Sequence, residues 1–238
     1  MTGTLINCAA IVAGSAIGLA ARRALRPSVE DGINKALGAA VIVLALGGIA
    51  SNMLTVSDGA VSSAGELLLI VSMVLGTLAG ELLDIDGALQ RLSRRIEART
   101  GAGGFAKGFS SATILFCVGA MAVVGSINDG LRGDSSILVM KSALDFTAAI
   151  VLAATLGIGV LFSAVSVLLY QGAITLLSRA LETFFVGELL TQFCLVGYTI
   201  ILCIGINFLA VNKIKTANML PAMLVPILWS LLRRAFGA

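Results

Sequence analysis

Residues 142–178 read SALDFTAAIVLAATLGIGVLFSAVSVLLYQGAITLLS and contain a single charged side chain, that of Asp145. As one α-helix this stretch would extend about 55 Å, nearly twice the hydrocarbon thickness of a bilayer. The stretch is therefore expected to break, and Gly157-Ile158-Gly159 is the expected place. The pattern predicts two membrane helices, at about 142–157 and 160–178.

The composition of the whole chain agrees with this local pattern. Of the 238 residues, 58% are hydrophobic and 12% are charged, and the mean hydropathy is +1.03. A soluble domain is about a quarter charged, so this chain has too little charge to cover a water-facing surface. Its apolar stretches are near-continuous rather than alternating, which favours helices over barrel strands. We predict an all-α, polytopic transmembrane helix bundle that forms a single integral membrane domain over residues 1–238.

About seven or eight membrane segments fit into this length. Besides the pair above, uncharged or weakly charged stretches predict segments at about 3–21, 36–57, 62–80, 108–128, 186–210 and 217–232. The last of these contains Pro221 and Pro226, which favour a kinked or re-entrant segment.

The distribution of basic residues predicts the orientation, because cytoplasmic loops carry an excess of Lys and Arg. Loops 22–35 and 81–107 are rich in basic residues, whereas loop 58–61 has none. Both basic loops are therefore expected in the cytoplasm and the N-terminus outside. Beyond residue 130 two arrangements remain open. Eight full spans place Arg233 and Arg234 outside, whereas one re-entrant late segment places them inside.

A basic connector at about 84–104 separates the third and fourth segments. Apolar residues recur at helical spacing there, with arginines interleaved: Arg91, Arg94, Arg95 and Arg99. This pattern is typical of an amphipathic helix on the inner leaflet of the bilayer, with its arginines near anionic lipid headgroups. The alternative is a solvated connector.

Two pairs of glycines, Gly14 with Gly18 and Gly76 with Gly80, have the GxxxG spacing. Small residues at this spacing let helix backbones approach closely within a membrane. We favour tight packing within one chain, and a homodimer interface is the alternative.

Asp145 stands out because a charge within a membrane segment is costly and usually functional. It is either a cation or proton site near a helix N-terminus or an interfacial carboxylate that favours that helix end. Lys141 lies four residues earlier, on the same helical face, and could neutralise it.

Three further polar residues are site candidates. Asp129, after Asn128, is expected to end a helix at Gly130, where free carbonyls and a carboxylate could help bind Na⁺; the alternative is a loop boundary. Gln171 lies midway along its segment, where its side chain either forms a hydrogen bond to a neighbouring helix or contacts a solute. Asn7 is inexpensive to bury when it is paired.

No pattern of enzyme chemistry accompanies these residues. The sequence has no histidine, and its four cysteines lie in apolar stretches without CxxC spacing. It contains no nucleophile–base pair, phosphate loop or metal-ligand cluster. The net charge of +3 is ordinary for short cytoplasmic loops, and only 5% of the residues are aromatic. We therefore expect neither an enzyme nor a cofactor, metal or nucleic-acid site.

Six stretches together resemble a known family: GTLIN at 3–7, LAGELLDI at 78–85, FCVGAMAVVGSINDG at 116–130, KSALD at 141–145, YQG at 170–172 and NMLPA at 218–222. They are similar to the YqgA/YdfK-like family of uncharacterised bacterial inner-membrane proteins, over nearly the whole chain. The resemblance implies a multi-pass protein of the bacterial inner (plasma) membrane. It supplies no established activity or catalytic residue, although Asp129, Asp145 and Gln171 lie within the matching stretches.

Two functions follow from the polar residues and the connector. The first is a small secondary transporter or channel for an ion or small solute. It would be coupled to Na⁺ or H⁺ at Asp145 and Asp129, with Gln171 and Asn7 completing a polar cavity. The alternative is a non-transporting membrane scaffold or regulator, in which residues 84–99 meet a partner or anionic lipid. A membrane-embedded enzyme acting on lipid is the weakest reading, because a catalytic pair is missing.

Overall fold

The computed structural model describes residues 1–22, 27–57, 60–100, 105–118, 120–181, 187–209 and 214–236. These residues form helices and one pair of short antiparallel strands. In the first half of the chain, the elements are α1 (Thr2–Arg22), α2 (Pro27–Met53), β1 (Leu54–Ser57), β2 (Ala60–Ser63), α3 (Glu66–Leu83), α4 (Ile85–Thr100) and α5 (Phe105–Cys117). In the second half, they are α6 (Ala120–Arg132), α7 (Ser136–Leu156), α8 (Gly159–Leu176), α9 (Ser178–Leu181), α10 (Glu188–Leu209), a 3-10 helix (Thr216–Met223) and α11 (Leu224–Phe236).

Most of the predicted membrane helices are confirmed, whereas the segment expected at 217–232 is instead a 3-10 helix (Thr216–Met223) followed by the short helix α11 (Leu224–Phe236). Among the described residues, six helices are long and apolar enough to cross a membrane, and α5 with α6 makes a seventh if that bent pair is one span. The predicted break of the longest apolar stretch is also confirmed: α7 ends at Leu156 and α8 begins at Gly159. Gly157 takes a φ of 82°, a backbone conformation that strongly favours glycine, and this explains why the chain turns there.

Two predicted boundaries were wrong near the hairpin. The segment expected at 36–57 ends as a helix at Met53, and the segment expected from residue 62 begins at Glu66. Between them, β1 and β2 pair antiparallel, with Leu54 opposite Ser63. Alternating β-branched and polar residues around Asp58-Gly59 favour a hairpin over a helix.

The fourth segment, expected as one helix over 108–128, is instead broken. Helices α5 and α6 meet at an angle of 61°, and Gly119, next to the break, lies outside the described residues. The second helix also continues past Asp129, which was expected to end it, as far as Arg132. Gly133, with a φ of 67°, follows directly.

The chain divides into two units, each built from early and late parts of the sequence: Met1–Leu37 with Leu89–Phe185, and Gly38–Ala88 with Val186–Ala238. In the first unit α1 and α7 run parallel and pack most closely. A Cβ on Gly14 would meet the carbonyl oxygen of Phe146, and one on Gly18 would meet that of Ile150. The first glycine pair therefore packs within the chain.

The broken pair α5–α6 runs from one end of the first unit to the other. At the start of α5, the Phe105 carbonyl lies against Gly159, beside the turn from α7 to α8. Near the end of α6, Asp129 contacts the first residues of α1. Because these contacts lie at opposite ends of the unit, we describe the pair as a broken crossing segment rather than a re-entrant loop.

The second unit is arranged by close glycine contacts of the same kind. Gly38 lies against Phe208 and Gly48 against Tyr198, so α2 runs antiparallel to α10. Gly80 lies against Asn218 in the 3-10 helix. The second glycine pair, Gly76 with Gly80, thus also packs within one chain. A homodimer through either pair stays a prediction that these contacts do not require.

Polar contacts mark the two ends of this second unit. At one end the Lys215 ammonium contacts the Glu81 carboxylate at 2.8 Å, which raises the pKa of Lys215 above its ordinary value. At the other end, Arg233 lies 3.3 Å from Glu188, the first residue of α10. The 3-10 helix and α11 together therefore run the length of the unit.

Candidate functional site

The candidate site is centred on an ion pair within α7. Lys141 and Asp145 lie one helical turn apart, and the Lys141 ammonium contacts Asp145 Oδ2 at 2.5 Å. Their side chains are only 7% and 9% exposed. The structure therefore provides the neutralising lysine that the four-residue spacing suggested.

Two amide side chains from neighbouring helices complete the cluster. Asn7 of α1 donates through Nδ2 to Asp145 Oδ2 at 3.0 Å and to Gln171 Oε1 of α8 at 3.3 Å. Asn7 and Gln171 are fully buried. The structure thus brings together three of the four predicted site residues, and we call Asn7, Lys141, Asp145 and Gln171 the polar cluster.

The polar cluster lies well inside the helices that carry it. Asn7 and Lys141 are about 8 Å from the starts of α1 and α7, and Asp145 is about 14 Å from the start of α7. The helix expected to begin at about residue 142 begins at Ser136, so the prediction that Asp145 lies near its N-terminus was wrong. In the preceding turn, hydrogen bonds from the Ser136 side chain and from the Ser136 N–H, which donates to Asp134 at 3.0 Å, lower the pKa of Asp134. This depth argues against an interfacial carboxylate at position 145.

Two buried atoms of the polar cluster have no hydrogen-bond partner: the Asn7 Oδ1 acceptor and the Gln171 Nε2 donor. Each unpaired buried polar group costs about 1–3 kcal/mol. Such groups are expected where a ligand or an ordered water completes the hydrogen bonding.

Asp129 does not join the polar cluster. Its carboxylate accepts a hydrogen bond from the Gly3 N–H at 3.1 Å and lies 2.9 Å from the Met1 amino group. The side chain is 2% exposed. Asp129 therefore holds the N-terminus of α1, where a carboxylate is favoured by the free N–H groups and the helix dipole.

A pair of threonines lies next to the polar cluster, on the side that faces Asp129. One turn before Asn7 on α1, the Thr4 hydroxyl lies 3.4 Å from the Thr175 hydroxyl, one turn after Gln171 on α8. Beyond this pair a cavity of about 420 Å³ is lined by Met1, Asp129, Gly130 and residues 175–180. We call this cavity the vestibule. It reaches the level of the threonine pair, next to the polar cluster.

Sequence reasoning missed the two threonines and gave Lys141 only a neutralising role. The spacing in the sequence could have identified these threonines, because Thr4 precedes Asn7 by three residues and Thr175 follows Gln171 by four. These spacings place each threonine on the same helical face as its amide partner.

The predicted lipid-headgroup arginines lie on α4. Arg91 and Arg95 are exposed. The side chains of Arg94 and Arg99 lie outside the described part of the chain, as do residues 101–104 at the end of the predicted connector. The predicted helix over this region is present as Ile85–Thr100.

No cluster of three or more His, Cys, Asp or Glu side chains that could hold a metal ion occurs among the described residues. The four cysteines are free thiols.

The helices and the buried polar cluster define a polytopic α-helical membrane protein. The chain belongs to the family described as "Protein of unknown function (DUF554)", whose model matches residues 2–231. It is 30% identical to the uncharacterized membrane protein YdfK of Bacillus subtilis (strain 168), over 100% of this chain and 99% of that protein. It is 25% identical to the uncharacterized protein YqgA of Escherichia coli (strain K12), over 94% of this chain and 93% of that protein. No solved structure matches. The predicted family is therefore confirmed.

Proposed function

We propose that this protein is a small secondary transporter or channel whose solute site is the polar cluster of the first unit. The observation that carries the proposal is the buried Lys141–Asp145 pair, joined to Asn7 and Gln171 from two other helices. A charged residue at the centre of a membrane helix costs at least about 2.5–3.5 kcal/mol, and such residues mark ion and substrate pathways. The two unpaired amide atoms supply free recognition groups at the same place.

The geometry favours H⁺ over Na⁺ as the coupling ion. The Lys141 ammonium already occupies Asp145 Oδ2 at 2.5 Å, and Asn7 Nδ2 approaches the same oxygen. A sodium ion would have to displace this ammonium and would bring a second positive charge into an apolar region. A proton on Asp145 needs no such space and releases Lys141 to bind a solute.

The test uses purified protein in liposomes, with three readouts that cover charged, proton-coupled and neutral solutes. These are currents on solid-supported membranes, lumenal pH from an enclosed dye, and vesicle volume from light scattering. The solutes are Na⁺, K⁺, small anions and amino acids. Asp145→Asn is the test variant, and Asp31→Asn is the matched control, because Asp31 pairs with Lys35 four residues away on an exposed surface.

The proposal predicts that at least one solute moves through the wild type and the Asp31→Asn variant, and that Asp145→Asn abolishes the movement. Equal flux in wild type and Asp145→Asn would contradict the proposed site. A folded and inserted wild type with no flux in any readout would contradict the proposed function.

The second candidate function is a membrane scaffold or regulator that acts through α4. The exposed Arg91 and Arg95 on an otherwise amphipathic helix support it, since such helices bind anionic lipid surfaces. Under this alternative, an Arg91→Gln/Arg95→Gln variant loses co-purifying phosphatidylglycerol, whereas Asp145→Asn keeps it. A double arginine variant that keeps its phosphatidylglycerol contradicts this alternative.

We propose the inner membrane of a bacterium as the location. The bacterial relatives and the basic loops 22–35 and 81–107 support this proposal. A fluorescent fusion followed by separation of bacterial membranes on a density gradient tests it, and recovery in any other fraction contradicts it.

A further inference from the structure

We propose that the ligand of the polar cluster is a small monovalent oxyanion, a carboxylate or a nitrate-like group, which binds to Lys141 and Gln171 together with a proton on Asp145. This inference rests on the proposed function and names the substrate class of the same site.

The first argument is the unpaired hydrogen-bonding capacity. Gln171 is fully buried, and its Nε2 group has no acceptor. Lys141 has three N–H donors, and its ammonium contacts Asp145 at one oxygen. An oxyanion carries two or more acceptor oxygens, so one ligand can accept from both residues.

The second argument is charge. With Asp145 ionised, the Lys141–Asp145 pair is neutral. If Asp145 takes up a proton, Lys141 remains as a buried, uncompensated cation, a costly state that a monovalent anion relieves. The loaded site is again neutral. An anion without the proton would instead leave a net negative charge in the apolar interior. The two ligands are therefore expected to bind together.

The third argument concerns Asn7, whose Oδ1 acceptor is also buried without a partner. Its Nδ2 already lies 3.0 Å from the Asp145 carboxylate. A protonated Asp145 is a hydrogen-bond donor, and a rotation of the Asn7 amide presents Oδ1 to it. The acceptor that is unpaired in the ionised state thus gains a role in the protonated state.

The entrance to the site is compatible with an anion. The vestibule is lined in part by the exposed Arg179, while the carboxylate that borders it, Asp129, is engaged by the N-terminus of α1. An anion in the vestibule therefore meets one basic side chain and a carboxylate that is already paired.

Among the described residues, few titratable groups face Asp145 from the surrounding helices. They are Lys141 on α7 itself, the Cys8 thiol from α1 and the Cys117 thiol from α5. Gln171 from α8 does not titrate, and Asp129 on α6 is held at the start of α1. Thiols are neutral at pH 7, so Asp145 is the group on which we place the coupled proton.

The test measures lumenal pH in liposomes when sodium nitrate or sodium methanesulfonate is added outside. Both are anions of strong acids, so neither crosses the bilayer as a neutral acid. The proposal predicts acidification of the lumen that is unchanged when K⁺ and valinomycin clamp the membrane potential, because the loaded site is neutral. Lys141→Gln and Gln171→Leu should each slow the initial rate by roughly tenfold to a hundredfold. The exposed Lys35→Gln is the matched control and should leave the rate unchanged.

Each alternative outcome has a definite meaning. If another solute class shows Asp145-dependent flux and no anion does, the oxyanion proposal is wrong and the proposed function is supported. No Asp145-dependent flux of any solute overturns both. A Gln171→Leu variant that elutes as folded protein and keeps the full nitrate response also overturns the oxyanion site, even if Lys141→Gln fails to fold.

Discussion

The Lys141 ammonium and the Asp145 carboxylate meet at 2.5 Å, one turn apart on α7, with less than a tenth of either side chain exposed. Ion pairs in such surroundings are strongly coupled, because removing one partner leaves the other charge buried and uncompensated. The pair therefore contributes to the fold of the first unit as well as to its proposed chemistry.

The first prediction separates these two roles through stability. Lys141→Met should lower the free energy of unfolding by about 3–5 kcal/mol, because Asp145 is left without its counter-charge. The double variant Lys141→Met/Asp145→Asn should recover most of that loss. Thermal unfolding of the purified protein in detergent measures both changes.

The exposed Lys35–Asp31 pair provides the control for this comparison. Lys35→Met should change the free energy of unfolding by no more than about 1 kcal/mol, since exposed ion pairs contribute little. A Lys141→Met variant that is no less stable than Lys35→Met would contradict the buried pair.

The second prediction concerns the close approach of α1 to α7. A Cβ on Gly18 would meet the Ile150 carbonyl oxygen, whereas a Cβ on Gly47 would meet nothing within 4 Å. Gly18→Leu should therefore separate the two helices and reduce the yield of folded protein in size-exclusion chromatography. Gly47→Leu should behave like the wild type. Equal yields of the two variants would count against this packing.

The third prediction tests the assignment of Asp129 to the start of α1. Asp129→Asn should destabilise the protein by about 1–2 kcal/mol, because a buried carboxylate at a helix N-terminus is lost. Added Na⁺ should leave the unfolding midpoint of the wild type unchanged. A sodium-dependent rise that disappears in Asp129→Asn would instead support the cation site expected from the sequence.

The fourth prediction resolves the late topology. The 3-10 helix and α11 run the length of the second unit, from Lys215 beside Glu81 to Arg233 beside Glu188. If α5–α6 and the 3-10 helix with α11 each cross the membrane once, we predict eight crossings, with Arg233 on the same side of the membrane as Met1. This arrangement places Arg233 and Arg234 outside, against the positive-inside rule. The test is a fusion, after residue 238, to a reporter that is active only in the cytoplasm. With the N-terminus outside, activity of this reporter would contradict the arrangement.

The sequence predicts the membrane helices well because their signal is composition over about 20 residues. It also locates the break at Gly157 and Gly159, since an uninterrupted helix would exceed the bilayer. It misses features that depend on a few residues. The paired strands Leu54–Ser57 and Ala60–Ser63 lie beside apolar stretches, and the 61° bend lies within one. In both places the composition alone predicts a continuous helix.

The site was predicted in part for a physical reason. A polar side chain within an apolar stretch must find a partner, so Asn7, Asp145 and Gln171 could each be marked without a structure. The sequence could not show that these residues meet, because their meeting depends on the parallel packing of α1 on α7 at Gly14 and Gly18. The same packing places the Gly3 N–H next to Asp129. Asp129 therefore pairs with the start of α1 and not with the polar cluster.

The most direct test of the central claim is transport by the double variant Lys141→Met/Asp145→Asn. This variant removes the charges of the polar cluster while leaving no buried charge unpaired, so it should fold and insert like the wild type. Our account predicts that it moves none of the solutes that the wild type moves in the same liposomes. Wild-type flux through the folded double variant would contradict the assignment of the polar cluster as the solute site.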